Sequence, residues 1–485
     1  MNLDHARILV VGAGLMGAGI AQVAAQAGHA VMLFDNRPGA AEAAKAKLAA
    51  TLDGLAAKGK LTADAVQATL ARITPVDALA PAELVIEAIV ENLDVKRALF
   101  AEAEALLPDE AVIATNTSSI SVTALARGMQ RPERLVGMHF FNPVPLMKLV
   151  EVVWGLGTDA AVAQAVFDLA ARWGKVPVHA RSTPGFIVNR IARPYYAEAL
   201  MLLQERAAAP EVIDACLRAA GFRMGPCELM DLIGHDTNFA VTQSVFAANF
   251  FDRRFTPSLV QQELVDAGFL GRKTGRGFYR YPEGPPALPQ HQGERARPEA
   301  RHLMLHGRGP IADRLAAALP DVARQLDSDW IGLEADRLQL RLTDGRTANE
   351  IAAERDFMAP VVVFDLPLGT GGDLAYACSG DFDGHLGWLY ALGFTPRAMV
   401  DTPGLIVART IAMLVNEAHD AVQQGVCSEE GADAAMKLGV NYPAGPFEWA
   451  AQWGADAIVP LLDRLDAYYR GERYRVSPYL RRQVI

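Results

Sequence analysis

The chain has 485 residues, of which 51% are hydrophobic and 21% charged, and its formal net charge at pH 7 is -10. At ~150 residues per domain this is room for about three domains, and the composition excludes a disordered chain. An acidic balance without a long basic run leaves nucleic acid no electrostatic footprint. Residues 7–12 read as a buried strand, with Ile8, Leu9, Val10 and Val11 in a row, and residues 15–27 as an Ala-rich helix closed by Gly28. A strand is predicted over 30–34, helices over 39–58 and 62–72, and strands over 84–87, 111–115, 135–138 and 149–154. A helix over 160–173 follows. Alternating strands and helices predict a parallel α/β sheet with crossover helices. From Pro184 helical periodicity takes over, with helices expected over 184–205, 210–220, 236–250 and 257–267.

Residues 282–310, rich in Pro, Gly and Arg, read as a linker, and the stretch 311–400 has strand-like pieces at 330–333 and 360–365 but no GxGxxG. Beyond it the segment TPGFIVNR, from Thr183 to Arg190, recurs as TPGLIVAR, from Thr402 to Arg409. Glu198 and Asp214 align with Glu417 and Asp433 in the same register, so the helical domain is expected twice. Cys216, Cys227, Cys378 and Cys427 form no close pair, and neither a metal site nor a disulfide framework is expected. No signal-peptide pattern or membrane-length apolar run is present, which points to a cytoplasmic protein with no membrane partner.

Gly12, Gly14 and Gly17 form a GxGxxG match, with Leu15 and Met16 inside it. Alone such a match is weak. Here it follows an apolar strand and opens a helix, and the next strand ends in Asp35, as a dinucleotide site requires. Gly12 would make the turn, Gly14 would admit the pyrophosphate, and Gly17 would let helix pack on sheet. Asp35 would accept from the ribose hydroxyls and repel a 2′-phosphate, favouring NAD over NADP, with Arg37 as a counter-indication.

Two polar clusters, Asn116–Ser119 and His139–Pro143, follow strands of the same sheet, where ligands of open α/β sheets bind. A histidine suits proton uptake as a secondary alcohol loses hydride. Glu151, inside an apolar run, would need a partner such as an imidazole N–H. A serine at 118 would hold the substrate oxygen. Structural readings stand beside these: a strand-end histidine with no catalytic work, Ser118 as a helix cap, and Glu151 paired on the surface with Lys148 or an arginine.

The strings GAGLMGAGIA (12–21), ATNTSSIS (114–121), HFFNPVPLMKLVEVV (139–153), STPGFIVNRI (182–191) and GRKTGRGFY (271–279) resemble the L-3-hydroxyacyl-CoA dehydrogenase family. The resemblance implies a Rossmann-type NAD domain over 1–182 and an all-α helical domain over 183–281. A degenerate α/β segment over 311–400 and a second, degenerate helical copy over 401–485 complete the expected order. It implies His139 as the base paired with Glu151, and Ser118 and Asn189 as groups that hold substrate and orient the base. Glu91, Lys96 and Asn142 would contact the ribose or nicotinamide part of NAD, and Lys273 would approach it from the helical domain. Thr51 and Lys58 would meet the coenzyme A of a 3-hydroxyacyl thioester. QQELVDAGFLGRKTG and MKLGVNYPAGPFEW fit the bacterial members of phenylacetate catabolism, which act on 3-hydroxyadipyl-CoA or 3-hydroxybutyryl-CoA. Ala408 stands where the first copy has Asn189, so the second copy is expected to pack or to form a homodimer rather than to catalyse. Two other readings remain: a dehydrogenase of free β-hydroxyacids with a lysine base, and a non-catalytic NAD-binding structural protein.

Overall fold

The computed structural model describes residues 3–289, 297–354, 360–380 and 385–484. Residues 290–296 of the expected linker, and 355–359 and 381–384 of the expected α/β segment, lie outside the described residues. The chain divides into two compact units, Met1–Arg190 with Gln424–Val440, and Ile191–Gln423 with Asn441–Ile485. Among the described residues no helix is long and apolar enough to cross a membrane.

The first unit holds one sheet made of β1 (Ile8–Val11), β2 (Val31–Phe34), β3 (Ile73–Val76), β4 (Leu84–Glu87), β5 (Val112–Thr115), β6 (Leu135–Phe140), β7 (Leu149–Trp154) and β8 (Val176–Arg181). Their order is β3-β2-β1-β4-β5-β6-β7-β8. Strand order reverses beside β1, which opens a crevice at the carboxyl ends of β1 and β4. The central strands β1, β4 and β5 are buried throughout, as helices on both faces require. The expected all-parallel sheet is corrected at one place: β6 and β7 pair antiparallel. Their connection is too short for a crossover, which needs about a dozen residues or more. β3 and β8 went unread because each carries a proline, Pro75 and Pro177, and stands at an edge of the sheet, where a proline is tolerated.

The expected single helix over 184–205 is broken. Gly185 and Phe186 take positive φ, and short helix Val188–Ile191 precedes helix Arg193–Gln204, with Pro194 in its first turn. The second repeat turns in the same way, with positive φ at Gly404 and Leu405 ahead of helix Val407–Gln423.

The second unit carries helices Arg193–Gln204, Pro210–Ala219, Pro226–Ile233, His235–Ala248 and Leu259–Asp266. It also carries a sheet of β9 (Leu303–His306), β10 (Ala323–Gln325), β11 (Gly332–Ala335), β12 (Leu338–Leu342), β13 (Val361–Phe364), β14 (Gly372–Cys378) and β15 (Phe394–Ala398). β9 falls in the stretch read as a linker. β13 pairs antiparallel with β14, and β14 parallel with β15, the same alternation as β6, β7 and β8. The two repeats also bond alike. In the first unit the Arg181 N–H donates to Val426 O (2.8 Å), and in the second the Val400 N–H donates to Ala207 O (2.9 Å). Helix Glu429–Gly439, from the second helical copy, packs on β7 and β8 and belongs to the first unit.

Candidate active site

The turn after β1 is built from glycine for two different reasons. Gly12 has φ 104°, and a Cβ there would stand 2.5 Å from Ala88 O. At Gly17 it would stand 1.7 Å from Gly12 O, so helix Leu15–Gln26 could not close on the strand. At Gly14 nothing lies within 4 Å of that position. Gly12 and Gly17 are therefore demanded by protein packing, whereas Gly14 keeps open space in front of a helix N-terminus that no side chain caps. Open space beside unshared N–H donors fits a pyrophosphate. Leu15 and Val90 follow adjacent strands and are exposed, apolar surface that a bound dinucleotide would cover; Met16 is packed against the core.

Asp35 ends the β2 side of the crevice. Its Oδ2 accepts from the Ala13 N–H (2.8 Å), and its Oδ1 from the Arg37 N–H (3.0 Å) and Nε (2.9 Å). The Arg37 guanidinium holds the carboxyl at about 2, against the opposing effect of burial. Arg37 is thus folded back on Asp35 rather than extended toward a ligand.

Next along the sheet, β4 ends in Glu87, fully buried, which the sequence reading missed. It accepts from the Lys96 ammonium (2.5 Å) and the Thr115 hydroxyl (2.6 Å). A carboxylate closing an otherwise apolar central strand was the available signal. Lys96 is 1% exposed and also reaches Glu91 at 3.3 Å, so the structure gives it a place between two carboxylates. Glu91 Oε1 accepts from the Thr117 hydroxyl (2.6 Å), the Ser118 N–H (3.1 Å) and the Ser119 hydroxyl (3.0 Å). Burial works to raise the Glu91 pKa, but the Thr117 hydroxyl and the Lys96 charge outweigh it and the pKa is lowered. This network fixes the loop that carries Ser118.

His139 lies inside β6, not beyond its end, and Glu151 is its direct cross-strand partner. His139 Nδ1 stands 2.6 Å from Glu151 Oε2, and the two side chains are 6% and 1% exposed as residues. A carboxylate only accepts, so Nδ1 carries the hydrogen, and in the neutral imidazole Nε2 keeps its lone pair. The other oxygen, Oε1, accepts from the backbone N–H groups of Ile187 (3.1 Å) and Val188 (2.9 Å). Every Glu151 contact therefore comes from a donor, and burial is compensated. Asn189 follows Val188 in the same short helix. Asn116 Oδ1 accepts the Phe140 N–H (2.8 Å), which ties the serine loop to the strand of His139. Asn142 is exposed after β6.

Other expected residues lie apart from these. Thr51 and Lys58 are exposed at the end of helix Ala40–Ala57, and the Thr51 hydroxyl donates to Lys47 O (2.9 Å). Lys273 belongs to the second unit and pairs there with Asp236 at 2.5 Å.

A family profile described as "3-hydroxyacyl-CoA dehydrogenase, NAD binding domain" matches residues 7–183. A second, "3-hydroxyacyl-CoA dehydrogenase, C-terminal domain", matches residues 185–281 and again 404–485. The chain belongs to the 3-hydroxyacyl-CoA dehydrogenase family. The double match also establishes that the helical domain occurs twice. The chain is 46% identical over 492 residues to the 3-hydroxyadipyl-CoA dehydrogenase of Escherichia coli strain K12, covering 100% of this chain and 98% of that one. The crystal structure of 3-hydroxybutyryl-CoA dehydrogenase from Escherichia coli K12 superposes with a TM-score of 0.89 at 45% identity, over 99% of this chain and 98% of that one. The (S)-3-hydroxybutyryl-CoA dehydrogenase of Ralstonia eutropha is similar over 57% of this chain and 98% of its own, with 41% identity and a TM-score of 0.55.

Proposed function

We propose that this chain catalyses the reversible, NAD-dependent oxidation of an (S)-3-hydroxyacyl-CoA to the 3-oxoacyl-CoA, with a 3-hydroxyadipyl or 3-hydroxybutyryl thioester as substrate. The observation that carries the reading is the buried His139–Glu151 pair, beside the same end of the sheet as the Gly12–Gly17 turn. Bound at that turn, NAD supplies the hydride acceptor. Gly14 leaves room for its pyrophosphate, Asp35 receives its ribose hydroxyls, and Glu91 and Asn142 line the way to its far end. His139 Nε2 takes the proton of the 3-hydroxyl as the carbonyl forms, and Glu151 stabilises the resulting imidazolium. Ser118 and Asn189 hold the substrate oxygen. Thr51 and Lys58 meet the coenzyme A. Lys96 serves by holding Glu91 in place.

The second half carries no second site in this proposal. Asp365 prolongs β13, its N–H donates to Ala375 O (2.9 Å), and Ala375 faces Arg397 on β15. Glu151 likewise faces Val178 on β8. Val178 and Arg397 are separated by the same offset as Thr183 and Thr402. By register, then, Asp365 occupies the His139 position and Ala375 the Glu151 position, so the imidazole and its acid partner are both replaced there. A cytoplasmic, homodimeric enzyme is part of the same proposal.

Turnover of acetoacetyl-CoA with NADH tests it, with His139→Ala as the control. That variant is expected to lose activity by orders of magnitude and still to bind NADH. Activity on free 3-hydroxybutyrate but not on its thioester would overturn the substrate class. Wild-type-like turnover in His139→Ala would overturn the base.

A further inference from the structure

Gly439 is the last residue of helix Glu429–Gly439, in the second helical copy and within the first compact unit. A Cβ on it would stand 2.6 Å from Leu149 Cδ2, 3.0 Å from Val188 Cγ2 and 3.7 Å from Phe141 Cε1. Each of those residues is one step from the catalytic pair. Leu149 shares a face of β7 with Glu151, two residues on. The Val188 N–H donates to Glu151 Oε1. The Phe141 ring lies tilted against the His139 ring, with centroids 4.5 Å apart. Leu149 and Val188 are both buried, where close packing resists displacement of a side chain. The same segment is tied to the first repeat by Gln424 Oε1, which accepts from Arg190 Nη1 (2.9 Å), and by Val426 O, which accepts the Arg181 N–H.

We propose that Gly439 is a positioning residue for the His139–Glu151 pair, so that the second helical copy forms the rear wall of the active site in the first half. The inference rests on the reading of that pair as base and partner. The helix end approaches β7 and the turn before Val188 closely only because it carries no side chain there. A methyl group must displace Leu149 or Val188 by several tenths of an ångström, and both lead directly to Glu151. A helical copy that has Ala408 in place of a counterpart of Asn189 thereby keeps a use: it fixes the geometry of the working site.

The test is made on the full chain. Gly439→Ala is expected to lower kcat about tenfold, since a misplacement of ~1 Å costs up to ~100-fold. NADH affinity and the KM for acetoacetyl-CoA should stay near wild type, and the limb of the kcat–pH profile that reports His139 should move. Adding Leu149→Ala to Gly439→Ala returns room for the methyl group and is expected to recover most of the lost kcat. Gln424→Leu removes one acceptor of Arg190, that of Nη1, without adding bulk and should show the same split in milder form. A folded Gly439→Ala with wild-type kcat and pH profile overturns the proposal, as does a loss confined to KM. If Gly439→Ala does not fold, Gln424→Leu decides on the same criteria. An active His139→Ala sinks the base reading itself. An inactive His139→Ala beside an unaffected Gly439→Ala sinks only the rear wall.

Discussion

Replacing Glu151 by glutamine changes one atom and separates the mechanism from simple packing. Oε1 accepts two backbone N–H groups, from Ile187 and Val188, while Oε2 accepts one hydrogen from His139 Nδ1. A glutamine has one oxygen to share between those places. Turning its amide N–H₂ toward Ile187 and Val188 would leave two buried donors unpaired, at ~1–3 kcal/mol each, so the oxygen stays with them. The N–H₂ then faces Nδ1, which must become an acceptor. The imidazole proton moves to Nε2, the nitrogen whose lone pair the proposed reaction needs. In other His–acid pairs the same carboxylate-to-amide change lowers kcat by ~10,000-fold, which is about 5.5 kcal/mol of barrier. Glu151→Gln is therefore expected to fold with a stability loss of ~1 kcal/mol, because only one hydrogen bond changes character. Its kcat should fall by three to four orders of magnitude, roughly, with KM little altered. Steady-state rates of acetoacetyl-CoA reduction, followed by NADH absorbance, measure both constants. A kcat within tenfold of wild type, or a loss carried by KM, refutes the tautomer argument.

Gly14→Ala and Gly17→Ala should part company. The first meets no atom within 4 Å and is expected to fold normally yet bind NADH weakly, whereas the second overlaps Gly12 O and is expected not to fold. Equal NADH affinity in a folded Gly14→Ala would move the pyrophosphate elsewhere. Asp35→Ala removes the partner of Arg37 and is expected to shift the NAD-over-NADP ratio of kcat/KM by about tenfold toward NADP, some 1.4 kcal/mol. An unchanged ratio would contradict the ribose role. Asp365, buried and bonded to the backbone N–H groups of Ile406, Val407 and Ala408, is pushed up to about 6 by burial, against the pull of those donors. Its folded-state pKa is raised, so its contribution to stability is greatest below the unfolded value and declines as pH rises through 6. The expected decline between pH 4 and 6 is ~2 kcal/mol. Denaturant titrations at both pH values, on the wild type and Asp365→Asn, read it as a slope that the variant lacks. Parallel pH dependence in the two proteins would refute the assignment.

Much of the first unit was legible before folding because its demands are local. A strand-turn-helix with three glycines, and an acid ending the next strand, are readable from neighbours in the chain. The repeat of TPGFIVNR was legible for the same reason, and its meaning was borne out by the second match of the helical family profile. Edges were the weak point: β3 and β8, each with a proline, look unlike strands until the sheet places them where a missing donor costs nothing.

His139 and Glu151 could be nominated from sequence, and the family resemblance implied their pairing, but how the sheet brings them together was not legible. It depends on an antiparallel register between β6 and β7 that sets the two residues opposite each other, where a parallel sheet had been expected. The backbone clamp on Glu151 depends on a turn with positive φ at Gly185 and Phe186, inside what reads as continuous helix. Lys96, which the resemblance had named as a contact of NAD, is enclosed by Glu87 and Glu91. The sequence alone thus determined which chemistry is present, because glycine conformation, strand burial and residue type are properties of short segments. Only the tertiary structure decided which groups share a hydrogen bond, and that Gln424–Val440 belongs with the first unit. Those contacts join segments far apart in the chain, and no local pattern records them.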